Sequence, residues 1–264
     1  MLHRMEQLYG YDIHGIDGEM GKLDDIYFDN LTWATRYFVV DTGGWLTGRQ
    51  VLVAPMVVEA PDMEEEALPV QLTQEQIENS PGIDLAQPVS EQQLRDLHTY
   101  YGWPWTMTPT AHPGAYYLPA PLLPGAAAVV GEARPETGEE ENVNPYLRSS
   151  REVRGYTIQA RDGEIGHLED FLVDPLDWVI RYLLLDTGGW LGGRKVLMAP
   201  TWVEELSWVR GKVYMDLRRE TIEQSPQYEP ARPVDREYEK ALHGYYGRRG
   251  YWELEDEVNE SEEA

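Results

Sequence analysis

Apolar positions along the chain fall into short runs separated by turn residues, the pattern of strands with helical additions. Tyr37–Val40 and Leu183–Leu185 are nearly continuous apolar runs, as expected of strands covered on both faces. Val51–Val53 and Val196–Met198 supply partners across a Gly-Gly turn, so Arg36–Pro55 and Arg181–Pro200 each read as a hairpin closed by Ala-Pro. Upstream, a short strand over Gly10–His14, a turn at Asp17-Gly18 and a strand over Lys22–Phe28 are expected. The same grammar returns at Tyr156–Ile158, Asp162-Gly163 and His167–Val173. A further hairpin is expected over Trp202–Trp208 and Lys212–Leu217, whereas its counterpart blurs at Met63-Glu64-Glu65-Glu66. Then the period becomes helical. Short helices over Thr73–Asn79 and Arg218–Gln224 stop at Ser-Pro, and longer ones over Ser90–Tyr100 and Asp235–Tyr245 start at capping residues Ser90 and Asp235.

These parallels are one duplication. The two hairpins share fourteen of twenty residues, and Leu2/Leu147, Tyr11/Tyr156, Trp45/Trp190, Pro81/Pro226 and Gly102/Gly247 are all 145 residues apart. A gapless offset over about a hundred residues copies a whole domain, unlike the short repeats of a solenoid. The expected organisation is a first domain at 1–102, a Pro/Gly/Glu-rich linker at 103–146, a second domain at 147–250 and an acidic tail at 251–264.

Composition narrows the function. A formal charge of −25 over 264 residues disfavours direct nucleic-acid binding. The absence of cysteine removes disulfides and thiolate metal sites. No run is long and apolar enough to span a bilayer, and the N-terminus has no apolar leader, so a cytoplasmic protein is expected.

The motifs can be read together as GYxI, an acidic turn G-E-x-G, W-x-x-RY, the loop D-T-G-G-W-L and V-L-x-A-P. In this form the chain resembles the PRC-barrel family, the small β-barrel of the photosynthetic reaction-centre H subunit and of a ribosome maturation factor. The likeness rests on Tyr11, Gly18, Gly21, Trp33, Arg36, Tyr37, Asp41, Trp45 and Pro55, with Tyr156, Gly163, Gly166, Trp178, Arg181, Tyr182, Asp186, Trp190 and Pro200. It implies a mainly β fold with short helices (β+α): two PRC-type barrels, each followed by C-terminal helices, arranged as an intrachain pseudo-dimer. It also implies a non-catalytic adaptor that acts through protein partners. The H-subunit likeness suggests a peripheral subunit of a photosynthetic or electron-transfer complex, and the maturation-factor likeness a ribosome-assembly helper. The chain has neither the H subunit's membrane helix nor a separate RNA-associated domain, and is more similar to stand-alone tandem bacterial members.

The candidate partner-binding residues are Asp41, Gly43, Gly44, Trp45 and Leu46, with Asp186, Gly188, Gly189, Trp190 and Leu191. A Trp on a Gly-rich turn can anchor a partner, although Asp and Thr there also bond their own turn. Trp103, Trp105, Tyr116 and Tyr117 make the linker a candidate docking segment. Arg36, Arg49, Arg181 and Arg194 are expected to form ion pairs with Asp41 and Asp186, or with Asp25 and Asp170. The carboxylates Asp24, Asp25, Asp29, Glu169, Asp170 and Asp174 read as a solvated strand face, and His98 and His243 as packing or capping residues. Ser80 and Ser225 lack a nucleophile elbow. No enzyme activity, cofactor or metal is expected. Protein partners are, with room for self-association and peripheral membrane contact.

Overall fold

The structure is a computed structural model that describes residues 1–46, 48–83, 89–104, 146–188 and 193–253. It is mainly β with short helices, in two sheets. The chain divides into two compact units. The N-terminal unit comprises Met5–Arg151 and Pro175–Val179, and the C-terminal unit comprises Met1–Arg4, Glu152–Asp174 and Ile180 onward. Neither unit is drawn from one sequence copy alone.

The N-terminal unit holds α1 (Met5–Leu8), β2 (Asp12–His14), β3 (Glu19–Asp29), β4 (Thr35–Asp41), β5 (Gln50–Val53), β6 (Ala67–Pro69), α2 (Gln74–Glu78), α3 (Glu91–Tyr101) and β7 (Leu147–Ser149). Its strands run in the order β5-β4-β3-β2-β6, with β7 added to β3. β4 is buried along nearly its whole length, as its apolar run requires. Thr73 and Ser90 cap α2 and α3, each through a capping box, and Gly102 ends α3 in the left-handed conformation.

The C-terminal unit repeats this plan with α4 (Ser150–Val153) at its entry. It holds β8 (Thr157–Ala160), β9 (Gly163–Val173), β10 (Ile180–Asp186), β11 (Lys195–Met198), β12 (Val203–Ser207), β13 (Lys212–Met215), α5 (Arg219–Glu223) and α6 (Arg236–Tyr246). The order is β11-β10-β9-β8-β13-β12, with β1 (His3–Arg4) added to β9. In both sheets the described pairings form an open path. Among the described residues no helix is long and apolar enough to cross a membrane.

The strand added in each unit comes from the other copy. His3 pairs with Val173 and Arg4 with Leu172, while Arg148 pairs with Phe28 and Ser149 with Tyr27. The two registers are one register shifted by the repeat offset. Pro175–Val179 is likewise built into the N-terminal unit, where Val179 bridges Ala34, its own counterpart. Trp178 is fully buried there, edge-on to Phe38 with centroids 4.7 Å apart. Trp178 and its equivalent Trp33 adopt φ of 57° and 59°. A bulky residue reaches this region only where packing over-determines it.

A β-bulge prepares the exchange. The register of β3 against β4 slips between Leu23 and Asp25, and that of β9 against β10 slips at the equivalent Glu169. The extra residue turns the next side chain inward, so Asp25 and Asp170 are buried. Asp25 accepts bonds from the Ser150 hydroxyl at 3.0 Å, the Arg151 N–H at 3.2 Å, the Ile26 N–H at 2.7 Å and the Ser149 hydroxyl. Asp170 accepts from the Arg4 guanidinium at 3.0 Å. Burial raises both carboxyls above their usual range, and the bonds they accept oppose the rise. Two of the carboxylates expected on a solvated face are thus interior anchors for the exchanged strands.

The carboxylate of Asp25 is an acceptor shared by both serine hydroxyls and a helix-start N–H, so removing it weakens the satisfaction of several buried donors at once. Asp25→Ala is expected to cost about 2–4 kcal/mol in denaturant unfolding, and Asp25→Asn, which keeps an acceptor oxygen, less than half of that. Equal losses for the two variants would show that the bonds to Asp25 do not hold β7.

Candidate functional site

The D-T-G-G-W-L loops bridge β4 to β5 and β10 to β11. In the N-terminal unit the connection is a 3-10 turn over Gly43–Leu46, not a two-residue Gly-Gly turn. Asp41 accepts from the Gly43 N–H at 2.9 Å, and the Thr42 hydroxyl donates to the Arg49 carbonyl at 2.7 Å. The other loop repeats both, Asp186 accepting from Gly188 at 2.9 Å and Thr187 donating to Arg194 at 3.1 Å. The polar residues of the motif therefore brace their own turn. The backbone also closes over Gly21, at φ 129°, and Gly166, at φ 73°, where a Cβ would run into the carbonyls of Asp41 and Asp186. Gly43 and Gly44 at the apex are exposed and Leu46 is half-buried. The side chain of Trp45, and Gly189, Trp190 and Leu191, lie outside the described residues, as do Trp105, Tyr116 and Tyr117 of the linker.

The arginines do other work than expected. Arg49 donates to the Glu78 carbonyl at 3.3 Å and to the Ser80 carbonyl, and Arg194 donates to Glu223 at 2.7 Å and Ser225 at 3.1 Å. Both arginines cap the C-terminal end of the short helix, α2 or α5, where orphan carbonyls favour a cation. Arg181 lies 3.8 Å from Asp174 and 4.1 Å over the Tyr251 ring. Asp29 accepts from Leu31 N–H at 2.9 Å and Thr32 N–H at 3.2 Å, and Asp24 accepts from Gln50 at 2.7 Å. These partners are turn amides and side-chain donors. Among the described residues no three His, Asp or Glu side chains gather as a metal set.

His98 and His243 each join the long helix to the central hairpin. Tyr37 lies 2.7 Å from His98 Nε2, and His98 Nδ1 lies 3.0 Å from the Pro104 carbonyl. The carbonyl requires a donor, which places the proton on Nδ1 and leaves Nε2 to accept from the tyrosine. Tyr37 is pushed up to about 12 by burial. Trp103, at the start of the linker, is buried edge-on to His98 at 5.7 Å.

The C-terminal unit has the same pair and an extra carboxylate. Tyr182 lies 3.1 Å from both His243 Nε2 and Glu239 Oε1. Glu239, 4% exposed, also accepts from Tyr251 at 2.9 Å and pairs with Arg236 at 2.9 Å. His243 Nδ1 faces the Arg249 carbonyl at 2.9 Å, and Trp252 packs on the ring at 5.0 Å. One tyrosine proton thus meets two acceptors. Burial raises Glu239 and lowers His243. The sequence signal for this cluster was the four-residue spacing of Glu239 and His243, which puts both on one helix face. At Glu239's position the first copy has Leu94. The cluster ties β10, α6 and the segment after α6 together. Nearby, a cavity of about 40 Å³ beside Tyr228, Arg232 and Tyr238 has room for a few waters and is too small for a metabolite.

Leu94 shows that the pair packs without a carboxylate. Glu239→Leu is therefore expected to keep unfolding stability within about 1 kcal/mol of the parent, because a buried charge and its desolvation leave together. A loss above about 3 kcal/mol would instead make the carboxylate a required anchor. Burial also lowers the His98 imidazole below its usual range. Its folded form is neutral while the unfolded chain takes up the proton first. This contribution is full above the usual imidazole range and is lost as pH falls through that range toward the lowered folded value. His98→Gln is expected to lose less stability than the parent between pH 7.5 and pH 5.5 (about two units spanning the imidazole range). Identical pH slopes would remove His98 from the account.

Residues 147–222 match the PRC-barrel domain, which places that domain in the second sequence copy. No curated protein matches the chain.

Proposed function

We propose that the chain is a non-catalytic, cytoplasmic scaffold or adaptor that works through protein contacts of two PRC-type barrels, joined as an intrachain pseudo-dimer. The domain at residues 147–222 supports the reading for the second copy. The recurrence of strands, caps and buried anchors at the repeat offset extends it to the first. The D-T-G-G-W-L loops, in which Asp41 and Asp186 hold the first glycine N–H, are candidate contact surfaces in this reading.

The observation that carries protein binding is a difference between the copies. The second-copy hairpin turn is Trp208-Val209-Arg210-Gly211, where the first has Met63-Glu64-Glu65-Glu66. Trp208 is 59% and Val209 76% exposed. Two adjacent large apolar side chains at a turn leave most of their surface in water, and such patches mark contact surfaces.

The test is affinity capture from the native source with the full chain and with Trp208→Ala/Val209→Ser. The parent is expected to retain a partner protein in fixed stoichiometry, and the variant to lose at least about 90% of it, equivalent to a tenfold weaker complex. A parent chain that captures nothing and sediments as an inert monomer overturns the reading.

A further inference from the structure

We propose that the outer edge of β12, together with Trp208, is a docking edge for an extended, lysine- or arginine-bearing segment of a partner protein, which adds as a further strand to the C-terminal unit's sheet. The inference rests on the adaptor reading and supplies the chemistry of the partner.

β12 is the terminal strand of its sheet, paired on one side to β13 and, among the described residues, to no strand on the other. An edge strand presents unpaired N–H and C=O groups, a template for another strand. The first copy has no regular strand here: its equivalent stretch forms the isolated bridges Val58 to Val70 and Asp62 to Ala67. The duplication therefore diverged into a regular edge strand in one copy and an irregular stretch in the other.

The side chains along the edge choose among occupants. The register of β12 slips between Val203 and Glu205, and the irregularity leaves both Glu204 and Glu205 exposed although they are consecutive. Leu206 and Ser207 turn back into the sheet. The strand thus offers bare backbone flanked by two carboxylates and ends at the exposed Trp208. Arg210, beyond the turn, is drawn toward β13, where it donates to the Tyr214 hydroxyl at 3.2 Å. A second copy of this chain is a poor occupant. Antiparallel pairing of β12 with itself centred on its acidic pair would set Glu204 of each copy against Glu205 of the other, and like charges directly opposite repel. A cationic strand inverts that sign. Its ammonium or guanidinium groups meet the two carboxylates, its backbone completes the ladder, and Trp208 offers a ring face to an Arg or Lys stem.

The probes are two synthetic ten-residue peptides (about two typical strand lengths), one alternating Lys and Val and the other Glu and Val. Binding to the full chain is measured by calorimetry and by amide hydrogen exchange. The Lys-Val peptide is expected to bind and to slow exchange at 203–207, and the Glu-Val peptide not to bind. Glu204→Lys/Glu205→Lys is expected to weaken the Lys-Val complex at least about tenfold, and Trp208→Ala about threefold. Glu64→Lys/Glu65→Lys makes the same charge change at the first-copy turn and is expected to leave affinity within about twofold. An equal loss in that control, binding without slowed exchange on β12, or no binding of the Lys-Val peptide overturns the proposal. If Glu204→Lys/Glu205→Lys still captures the native partner, the edge is refuted while the adaptor reading stands.

Discussion

The structure depends on a carboxylate buried behind a β-bulge. Asp25 and Asp170 are buried acid groups of β3 and β9 that each accept hydrogen bonds from a segment contributed by the other sequence copy. An uncompensated carboxylate in such a place is expensive, so the site is viable only when its donors arrive. The exchanged strands are two and three residues long. Ladder bonds of that number are weak by themselves, and the interior acceptor is what makes so short a strand specific.

Around these anchors the two copies agree in what they bury and differ in what they show. The Tyr–His pair, the arginine that caps the short helix and the Asx-braced glycine loop recur with the same partners at the repeat offset. Divergence is confined to places where packing does not punish it, such as the hairpin turn that reads Trp-Val-Arg-Gly in one copy and Met-Glu-Glu-Glu in the other. Glu239 is the exception, a carboxylate admitted to an interior position that is leucine in the first copy. It is tolerated because Arg236, Tyr182 and Tyr251 all reach it.

Much of this was legible in the chain itself. Strands β4 and β10 follow from continuous apolar runs, and the long helices start one residue after the capping Ser90 and Asp235. The exchange was not legible, since His3-Arg4 carries no periodicity and its partners, Val173 and Leu172, belong to the other sequence copy. The bulge was hidden for a related reason. Alternation counted back from Ile26 and Phe28 puts Asp24 on the buried face and Asp25 on the exposed one, and only the extra residue reverses the two. The fates of Arg49 and Arg194 were missed because their acceptors are backbone carbonyls, which no pattern of charged residues reveals.

Exchange of the first strand also imposes an order in time. During synthesis the ribosome releases β1 long before β9 exists to receive it, and β3 must wait for β7 and Trp178 to emerge from beyond the linker. Pairings of such wide sequence separation form late and leave their acceptors open in the interim. Maturation of the N-terminal unit therefore waits until Val179 has been made, and a nascent chain stalled before that point in the second copy would carry an unfinished slot on the first.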